Sequence, residues 1–219
     1  MTYKEQFIKF MADCGVLTFG DFTLKSGRKS PYFLNAGNYN TGAALARLGE
    51  FYAECFMENK IEAETLFGPA YKGIPLVVST AVALKNKFDV DINYCFDRKE
   101  EKDHGEGGWF VGKQPANREK IAIIDDVSTS GKAIREVLPK LKKAADVNVT
   151  SFVITADRME KTAGGELSAV QEIEREFGIR VYSIINIRDI IAALEKNVIA
   201  GVEYLPKMKE YIDEFGAKY

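Results

Sequence analysis

The sequence predicts an α/β protein in which a parallel sheet is flanked by helices. Two observations lead to this fold class. Short apolar, β-branched runs alternate with stretches of helical length, and those stretches carry apolar residues three and four positions apart. Such alternation indicates a parallel sheet covered on both faces. The predicted strands lie at 65–67, 92–96, 121–124, 149–154 and 181–185, and the predicted helices at 41–58, 74–87, 132–145 and 166–177.

Both ends of the chain depart from this alternation. The first forty residues contain short apolar runs that predict a small antiparallel flap over the sheet, and the tail has helical spacing. No repeat, low-complexity tract or linker marks a boundary, so residues 1–219 are expected to form a single domain. The terminal predictions are a helix from Tyr3 to about Cys14, flap runs at 16–19, 22–24 and 30–35, and closing helices at 187–194 and 204–215.

The composition is that of an ordinary folded protein. Apolar residues make up 46% of the chain, and 30 lysines and arginines nearly balance 32 aspartates and glutamates. These values exclude an intrinsically disordered chain and give no overall attraction for nucleic acid or anionic lipid, so any anion site must be local. No apolar run approaches the ~18 residues of a membrane-spanning helix, and the first residues lack a signal-peptide core. We therefore expect a cytoplasmic protein.

Cysteine and histidine are too sparse for a structural zinc site. Cys14, Cys55 and Cys95 form no closely spaced pair, and His104 is the only histidine of the chain. An odd, scattered set of cysteines also argues against a disulfide framework and suits a reducing compartment.

The segment from Ile121 to Ala133 is the most informative about function. It reads Ile-Ala-Ile-Ile-Asp-Asp-Val-Ser-Thr-Ser-Gly-Lys-Ala, a buried strand that ends in two acids and continues through small hydroxyl residues and glycine into a helix. A tight turn of small residues leaves backbone N–H groups free at a helix N-terminus, where a phosphate is favoured. The two carboxylates would repel a phosphate, but they accept hydrogen bonds from sugar hydroxyls and can help hold Mg²⁺. The segment therefore predicts a site for a phosphorylated sugar.

Each half of this motif also has a purely structural explanation. Asp125 and Asp126 could simply end a strand, and the Ser-Thr-Ser-Gly run could be an ordinary N-cap turn. Other phosphate-binding motifs fit less well. Residues 68–75 have two glycines at P-loop spacing but Ile-Pro where Lys-Ser or Lys-Thr belongs, and no Gly-x-Gly-x-x-Gly follows a strand.

The strand, the acid pair and the hydroxyl-rich loop resemble the 5-phosphoribosyl 1-diphosphate (PRPP) signature of the type I phosphoribosyltransferases. Three further segments, 22–33, 68–75 and 98–108, narrow the resemblance to the orotate phosphoribosyltransferases. It implies a five-stranded parallel sheet with a small N-terminal hood from residues 1–40, and a homodimer. It also implies transfer of the phosphoribosyl group from PRPP to orotate, giving orotidine 5'-monophosphate and diphosphate in pyrimidine biosynthesis. The two alternatives are a phosphoribosyltransferase for another nucleobase and a PRPP-sensing regulator without turnover.

The resemblance assigns roles to residues of the PRPP site. Lys102 is the strongest catalytic candidate, His104 assists the leaving oxygens, and Mg²⁺ is held mainly by PRPP, with Asp125 or Asp126 reaching it through water. The catalytic set is Lys102, His104, Asp125 and Asp126. The implied PRPP-binding set is Lys25, Tyr71, Lys72, Arg98, Lys99, Lys102, His104, Asp125, Asp126, Val127, Ser128, Thr129, Ser130, Gly131, Lys132 and Ala133.

Residues 98–108 combine four potential cations with three glycines. Because glycine lowers the cost of backbone movement, the pattern indicates a mobile loop that closes over the diphosphate. In the family this loop serves the neighbouring subunit. The alternative is a solvated charge run, since Glu100, Glu101 and Asp103 lie between the cations.

The orotate pocket needs a cation for the substrate carboxylate. The resemblance implies Arg158, whose planar fork can hold a carboxylate bidentately. The alternative role of Arg158 is that of a surface arginine paired with Asp157 or Glu160. For Tyr71 of the PRPP site, the alternative to a ligand contact is a half-buried ring with a solvated hydroxyl. Three residues depart from the family pattern, Leu34, Ser128 and Ser130, all beside functional positions. The implied orotate-binding set is Lys25, Phe33, Leu34, Thr129 and Arg158.

Overall fold

The computed structural model describes residues 1–24, 26–102, 108–126 and 131–219, with all side chains in these ranges except those of residues 101 and 102. The strands are β1 (Leu17–Thr23), β2 (Lys29–Leu34), β3 (Thr65–Gly68), β4 (Asn93–Lys102), β5 (Gly108–Gly112), β6 (Lys120–Ile124), β7 (Asn148–Asp157) and β8 (Arg180–Asn186). The α-helices are α1 (Tyr3–Asp13), α2 (Gly42–Glu58), α3 (Gly73–Phe88), α4 (Lys132–Ala144), α5 (Ala169–Phe177), α6 (Ile187–Glu195) and α7 (Leu205–Phe215).

The central sheet has the strand order β5-β4-β3-β6-β7-β8. Five of these strands are mutually parallel, namely β3, β4, β6, β7 and β8, which confirms the predicted parallel sheet. β5 is a sixth strand that the sequence did not predict, and it pairs antiparallel with β4. As a result, residues 98–102 belong to a strand, and the prediction of a loop over all of 98–108 is wrong for them.

The order in which the chain adds strands to the sheet reverses next to β3. From β3 the chain first adds β4 and β5 on one side and then crosses to add β6, β7 and β8 on the other. In an open parallel sheet such a switch point leaves a crevice at the carboxyl ends of the strands, where ligands bind. The ends of β3 and β6 at this crevice are Gly68 and Ile124, which belong to two of the motifs singled out in the sequence, 68–75 and 121–133.

Helices cover both faces of the sheet because the inner strands are apolar on both faces. In β6, Ala122 and Ile124 join one buried cluster with α1, α2, α3 and α6, whereas Ile121 and Ile123 join a second with α4 and α5. α2 and α3 approach closely at Gly49, where a Cβ atom would lie 2.5 Å from the carbonyl oxygen of Ser79. Across the described ranges, no helix is both long and apolar enough to cross a membrane.

The hood contains α1 and the antiparallel pair β1 and β2, as the flap runs predicted. Leu17 pairs with Leu34 and Thr18 with Phe33. The hood packs against α7, where the buried Tyr32 ring lies 6.0 Å from that of Tyr211 in an edge-on arrangement. This contact fixes β2 on the body of the protein.

Candidate active site

A cleft of about 430 Å³ lies at the carboxyl ends of β3, β4 and β6, beside the first turns of α4. It brings together residues from three of the four segments singled out in the sequence. Six predicted PRPP-site residues line it: Tyr71, Lys72, Lys99, Asp125, Asp126 and Ala133. The cleft therefore coincides with the crevice at the switch point.

The acid pair is held in this cleft by its main chain. The Asp125 N–H donates to the carbonyl of Val153 (3.1 Å), and the buried Tyr52 hydroxyl donates to the carbonyl of Asp125 (2.6 Å). The carbonyl of Asp126 accepts from the backbone N–H of Thr155 (2.8 Å) and from its hydroxyl. These bonds fix the backbone of the acid pair, and both residues line the cleft.

The two carboxylates differ in environment. Asp125 is only 8% exposed, and burial, with a further contribution from Asp126, raises the pKa of its carboxyl group from 3.8 to about 6. Asp126 pairs with the Lys72 ammonium (2.5 Å), and this hydrogen bond raises the pKa of Lys72. Because the Lys72 side chain is 71% exposed, the pair is weakly held and a charged ligand can replace it.

The two carboxylates of the cleft are the candidate ligands for a magnesium ion. No group of three carboxylate, histidine or cysteine side chains capable of holding a metal occurs within the described ranges. Moreover, one oxygen of Asp125 already accepts the N–H of Asp126 (2.9 Å). Mg²⁺ often takes one or two carboxylates plus substrate phosphates and water, so two acids at the cleft fit an ion that arrives with a phosphorylated substrate.

The turn between β3 and α3 carries Tyr71 and Lys72. It begins at Gly68 and ends at Gly73, and neither position has room for a side chain. A Cβ atom at Gly68 would overlap the carbonyl of Gly73, and one at Gly73 would lie 2.6 Å from Cδ of Pro69. The Ala70–Tyr71 peptide bond is cis. The Tyr71 ring is 66% exposed, which contradicts the half-buried alternative. Lys99 lies with its ammonium 4.7 Å from the centroid of this ring.

Asp97 and Lys140 are among the cleft residues that the sequence analysis missed. Asp97, 4% exposed at the end of the sheet-paired part of β4, accepts the N–H of Ala70 (2.7 Å) and pairs with the Lys140 ammonium (2.6 Å). It therefore fastens the turn that carries Tyr71 and Lys72. The sequence did contain a signal for Asp97. It is an acid near the end of a parallel strand, at the same level of the sheet as Asp125.

Arg158 follows β7 and is largely buried rather than a surface residue. Its Nε donates to Oε1 of Glu160 (2.9 Å), and its guanidinium lies 4.5 Å from the centroid of the Tyr32 ring. Its side chain is 12% exposed. Of the two alternative partners, Glu160 pairs with it, whereas Asp157 accepts from the Tyr219 hydroxyl (2.6 Å).

The remaining predicted residues divide into two groups. Gly131 precedes α4 with a φ of +64°, and Lys132 and Ala133 form the first turn of this helix, which no described side chain caps. In β4, Arg98 donates to the carbonyl of Gly108 (3.2 Å). Outside the described residues lie Lys25, His104, Val127, Ser128, Thr129 and Ser130, together with the side chain of Lys102 and the rest of 103–107.

Comparisons with known proteins agree with this arrangement. The family model of the phosphoribosyl transferase domain matches residues 36–181. The chain is similar to the orotate phosphoribosyltransferases of Clostridium beijerinckii (49% identity, 99% of each chain) and Shigella flexneri serotype 5b (51% identity, 98% of each chain). The crystal structure of orotate phosphoribosyltransferase from Francisella tularensis matches with a TM-score of 0.86 and 40% identity, covering 97% of this chain and 100% of that one. The similarity thus extends beyond the sheet to the hood and the closing helices.

Proposed function

The chain belongs to the phosphoribosyltransferase family and, within it, to the orotate phosphoribosyltransferases, and from that premise we propose which of its residues carry the reaction. It transfers the 5-phosphoribosyl group from PRPP to orotate, a step of pyrimidine biosynthesis. The observation that supports the site assignment best is the meeting of the acid pair, the Tyr71–Lys72 turn and the start of α4 in one cleft.

We assign the 5-phosphate of PRPP to residues 127–131 and the first turn of α4. The start of α4 at Lys132 supports this, because the backbone N–H groups and partial positive charge of a helix N-terminus favour an anion. Asp125 and Asp126 then face the ribose hydroxyls, for which carboxylates are good acceptors. We assign Lys72 and Lys99, which also line the cleft, to the diphosphate.

The chemical step breaks the bond between the anomeric carbon and diphosphate. Negative charge gathers on the leaving group as the ribose becomes oxocarbenium-like, so catalysis depends on electrostatic stabilisation and positioning. Lys72, Lys99, Lys102 and His104 are the cations and proton donors that we assign to the leaving oxygens. Mg²⁺, when bound with PRPP, would neutralise further charge and orient the ribose and diphosphate oxygens.

Replacing Arg158 by alanine tests the orotate pocket. We expect the KM for orotate to rise roughly tenfold or more, because a charge-assisted fork to the substrate carboxylate is lost. The KM for PRPP should stay nearly unchanged, since this arginine faces only the base. Steady-state kinetics with each substrate varied in turn gives both values, and an equal loss for PRPP would remove Arg158 from the orotate pocket.

Turnover with different bases tests the function as a whole. Orotate should react, whereas uracil, adenine and hypoxanthine, which lack its carboxylate, should not. Reaction with another base would support the alternative nucleobase, and PRPP binding without turnover of any base would support a regulator.

We further propose that the enzyme is a cytoplasmic homodimer in which residues 98–108 of one subunit complete the active site of the other. The support is the position of the β4–β5 hairpin at the edge of the sheet, where a neighbouring subunit can approach. A two-fold dimer would use the same surface on both chains.

A further inference from the structure

Glu160, to which the proposed reaction assigns no role, lies at the centre of a largely buried polar cluster. Its Oε1 accepts from Nε of Arg158 (2.9 Å) and from the hydroxyl of Tyr32 (3.0 Å), and it lies 2.7 Å from Nη2 of Arg158. Its Oε2 lies 3.9 Å from Nη1 of Arg28. The side chains of Glu160 and Arg158 are each 12% exposed. Three side chains, those of Arg28, Tyr32 and Arg158, therefore meet at one carboxylate.

This carboxylate determines how the guanidinium of Arg158 is presented. Glu160 meets the side formed by Nε and Nη2, and the Tyr32 ring covers one face of the plane. Nη2, although 2.7 Å from this carboxylate, is buried and has no well-aligned hydrogen-bond partner within the described parts of the chain. A planar guanidinium held on one side and one face retains an end through which a second carboxylate can be bound.

The same carboxylate connects Arg158 to the hood. Tyr32 is completely buried in β2, directly before Phe33 and Leu34, which we assign to the orotate pocket. Burial raises the pKa of the Tyr32 hydroxyl well above its usual value, so the group keeps its proton and donates to Glu160. The two walls of the proposed pocket are thus joined through Glu160.

We infer that Glu160 is a positioning residue for orotate. It holds one side of Arg158 so that the remaining end of the guanidinium meets the substrate carboxylate, and through Tyr32 it fixes the hood strand that closes the pocket. The inference rests on the proposed function, because Glu160 acts on orotate only through Arg158 and the hood.

The test is a set of variants measured with each substrate varied separately. Glu160→Gln removes the charge and keeps an acceptor, and we expect the KM for orotate to rise about tenfold, with more for Glu160→Ala. Tyr32→Phe removes one hydroxyl and keeps the ring and every charge, and a rise of roughly threefold is expected. The KM for PRPP should change less than about twofold in all three. Glu166→Gln, which breaks only the exposed pair with Lys161 (2.8 Å), is the matched control and should change neither value.

A combined variant separates positioning from general damage. In an Arg158→Ala background, Glu160→Gln should add almost nothing to the KM for orotate, because residues that act as a unit are not additive. Thermal melting shows whether each variant is folded. Removing one partner of a buried pair can prevent folding, and in that case Tyr32→Phe alone decides.

The contrary outcomes are distinct. A folded Glu160→Gln enzyme with an unchanged or lower KM for orotate overturns the inference, as does a parallel rise for PRPP or an unchanged KM in Tyr32→Phe. If Arg158→Ala still raises the KM for orotate, the proposed function stands without the inference. If Arg158→Ala leaves that KM unchanged, the pocket assignment fails and the inference fails with it.

Discussion

Asparagine in place of Asp125 is expected to remove most of the activity and yet to make the protein more stable at pH 8. The activity falls about a hundredfold or more, because a carboxylate facing the ribose and the Mg²⁺-PRPP complex becomes neutral. Stability rises because the pKa of the buried carboxyl group is raised from 3.8 to about 6. At pH 8 the folded protein therefore contains an ionised group in a place that disfavours ionisation.

The sign of the pH dependence follows from proton linkage. Between pH 4 and pH 6 the folded protein binds a proton at Asp125 that the unfolded chain has lost, so folding free energy is lost as the pH rises. Each pKa unit is worth about 1.4 kcal/mol, which limits the gain of Asp125→Asn above pH 6 to roughly 3 kcal/mol. The gain should shrink towards zero near pH 4. Melting curves without metal from pH 4 to 8 measure it.

Asp126→Asn is the matched variant. Its carboxylate is paired with Lys72 at the open side of the cleft, so activity should fall comparably without a matching gain in melting temperature. Circular dichroism distinguishes the structural explanation of the acid pair from the functional one. Unfolding of both variants at pH 7 would mean that the acids serve the strand end and not the substrate.

Mixing two inactive variants should restore activity if the active site is shared between subunits. A Lys72→Ala chain and a Lys102→Ala chain each give a nearly inactive homodimer. In the hybrid dimer one site receives both defects and the other receives neither. Random reassortment makes half of the dimers hybrid, so roughly a quarter of all sites should be intact. Activity should rise from near zero to about that fraction as subunits exchange.

A second mixture serves as the control. Lys72 and Asp126 contact each other within one chain, so a hybrid of Lys72→Ala and Asp126→Asn chains has one defect in each site. No recovery is expected from it. If mass spectrometry shows complete reassortment and the first mixture also stays inactive, residues 98–108 act within their own subunit.

The strand predictions were accurate for buried strands, whose residues are apolar on both faces of the sheet. The apolar run 149–154 lies within β7, and 121–124 lies within β6. β5 was missed because its apolar run, Trp109 to Val111, is only three residues long and lies between glycines. The end of its partner strand β4, residues 98–102, is also entirely charged, and only Lys102 of these residues is in register with β5. The prediction of α5 began three residues early, since Ser168 forms a capping box with Gln171 and the helix starts at Ala169.

For the site, the sequence identified what is local and missed what is distant. Asp125 and Asp126 were identifiable because the acids, the turn and the helix start are consecutive. Asp97 and Lys140 are 43 residues apart, and Glu160 is 128 residues from Tyr32. Contacts of this kind depend on the packing of the hood and of α4, which a single sequence does not reveal.

The turn from Gly68 to Gly73 also limits how the enzyme can evolve. At either end a side chain would meet backbone or proline ring atoms, which cannot rotate away as a flexible side chain could. Between them, Tyr71 and Lys72 line the cleft and are 66% and 71% exposed. Packing therefore excludes every residue larger than glycine at the two ends of the turn, whereas in its middle the substrate, and not packing, decides which side chains are retained.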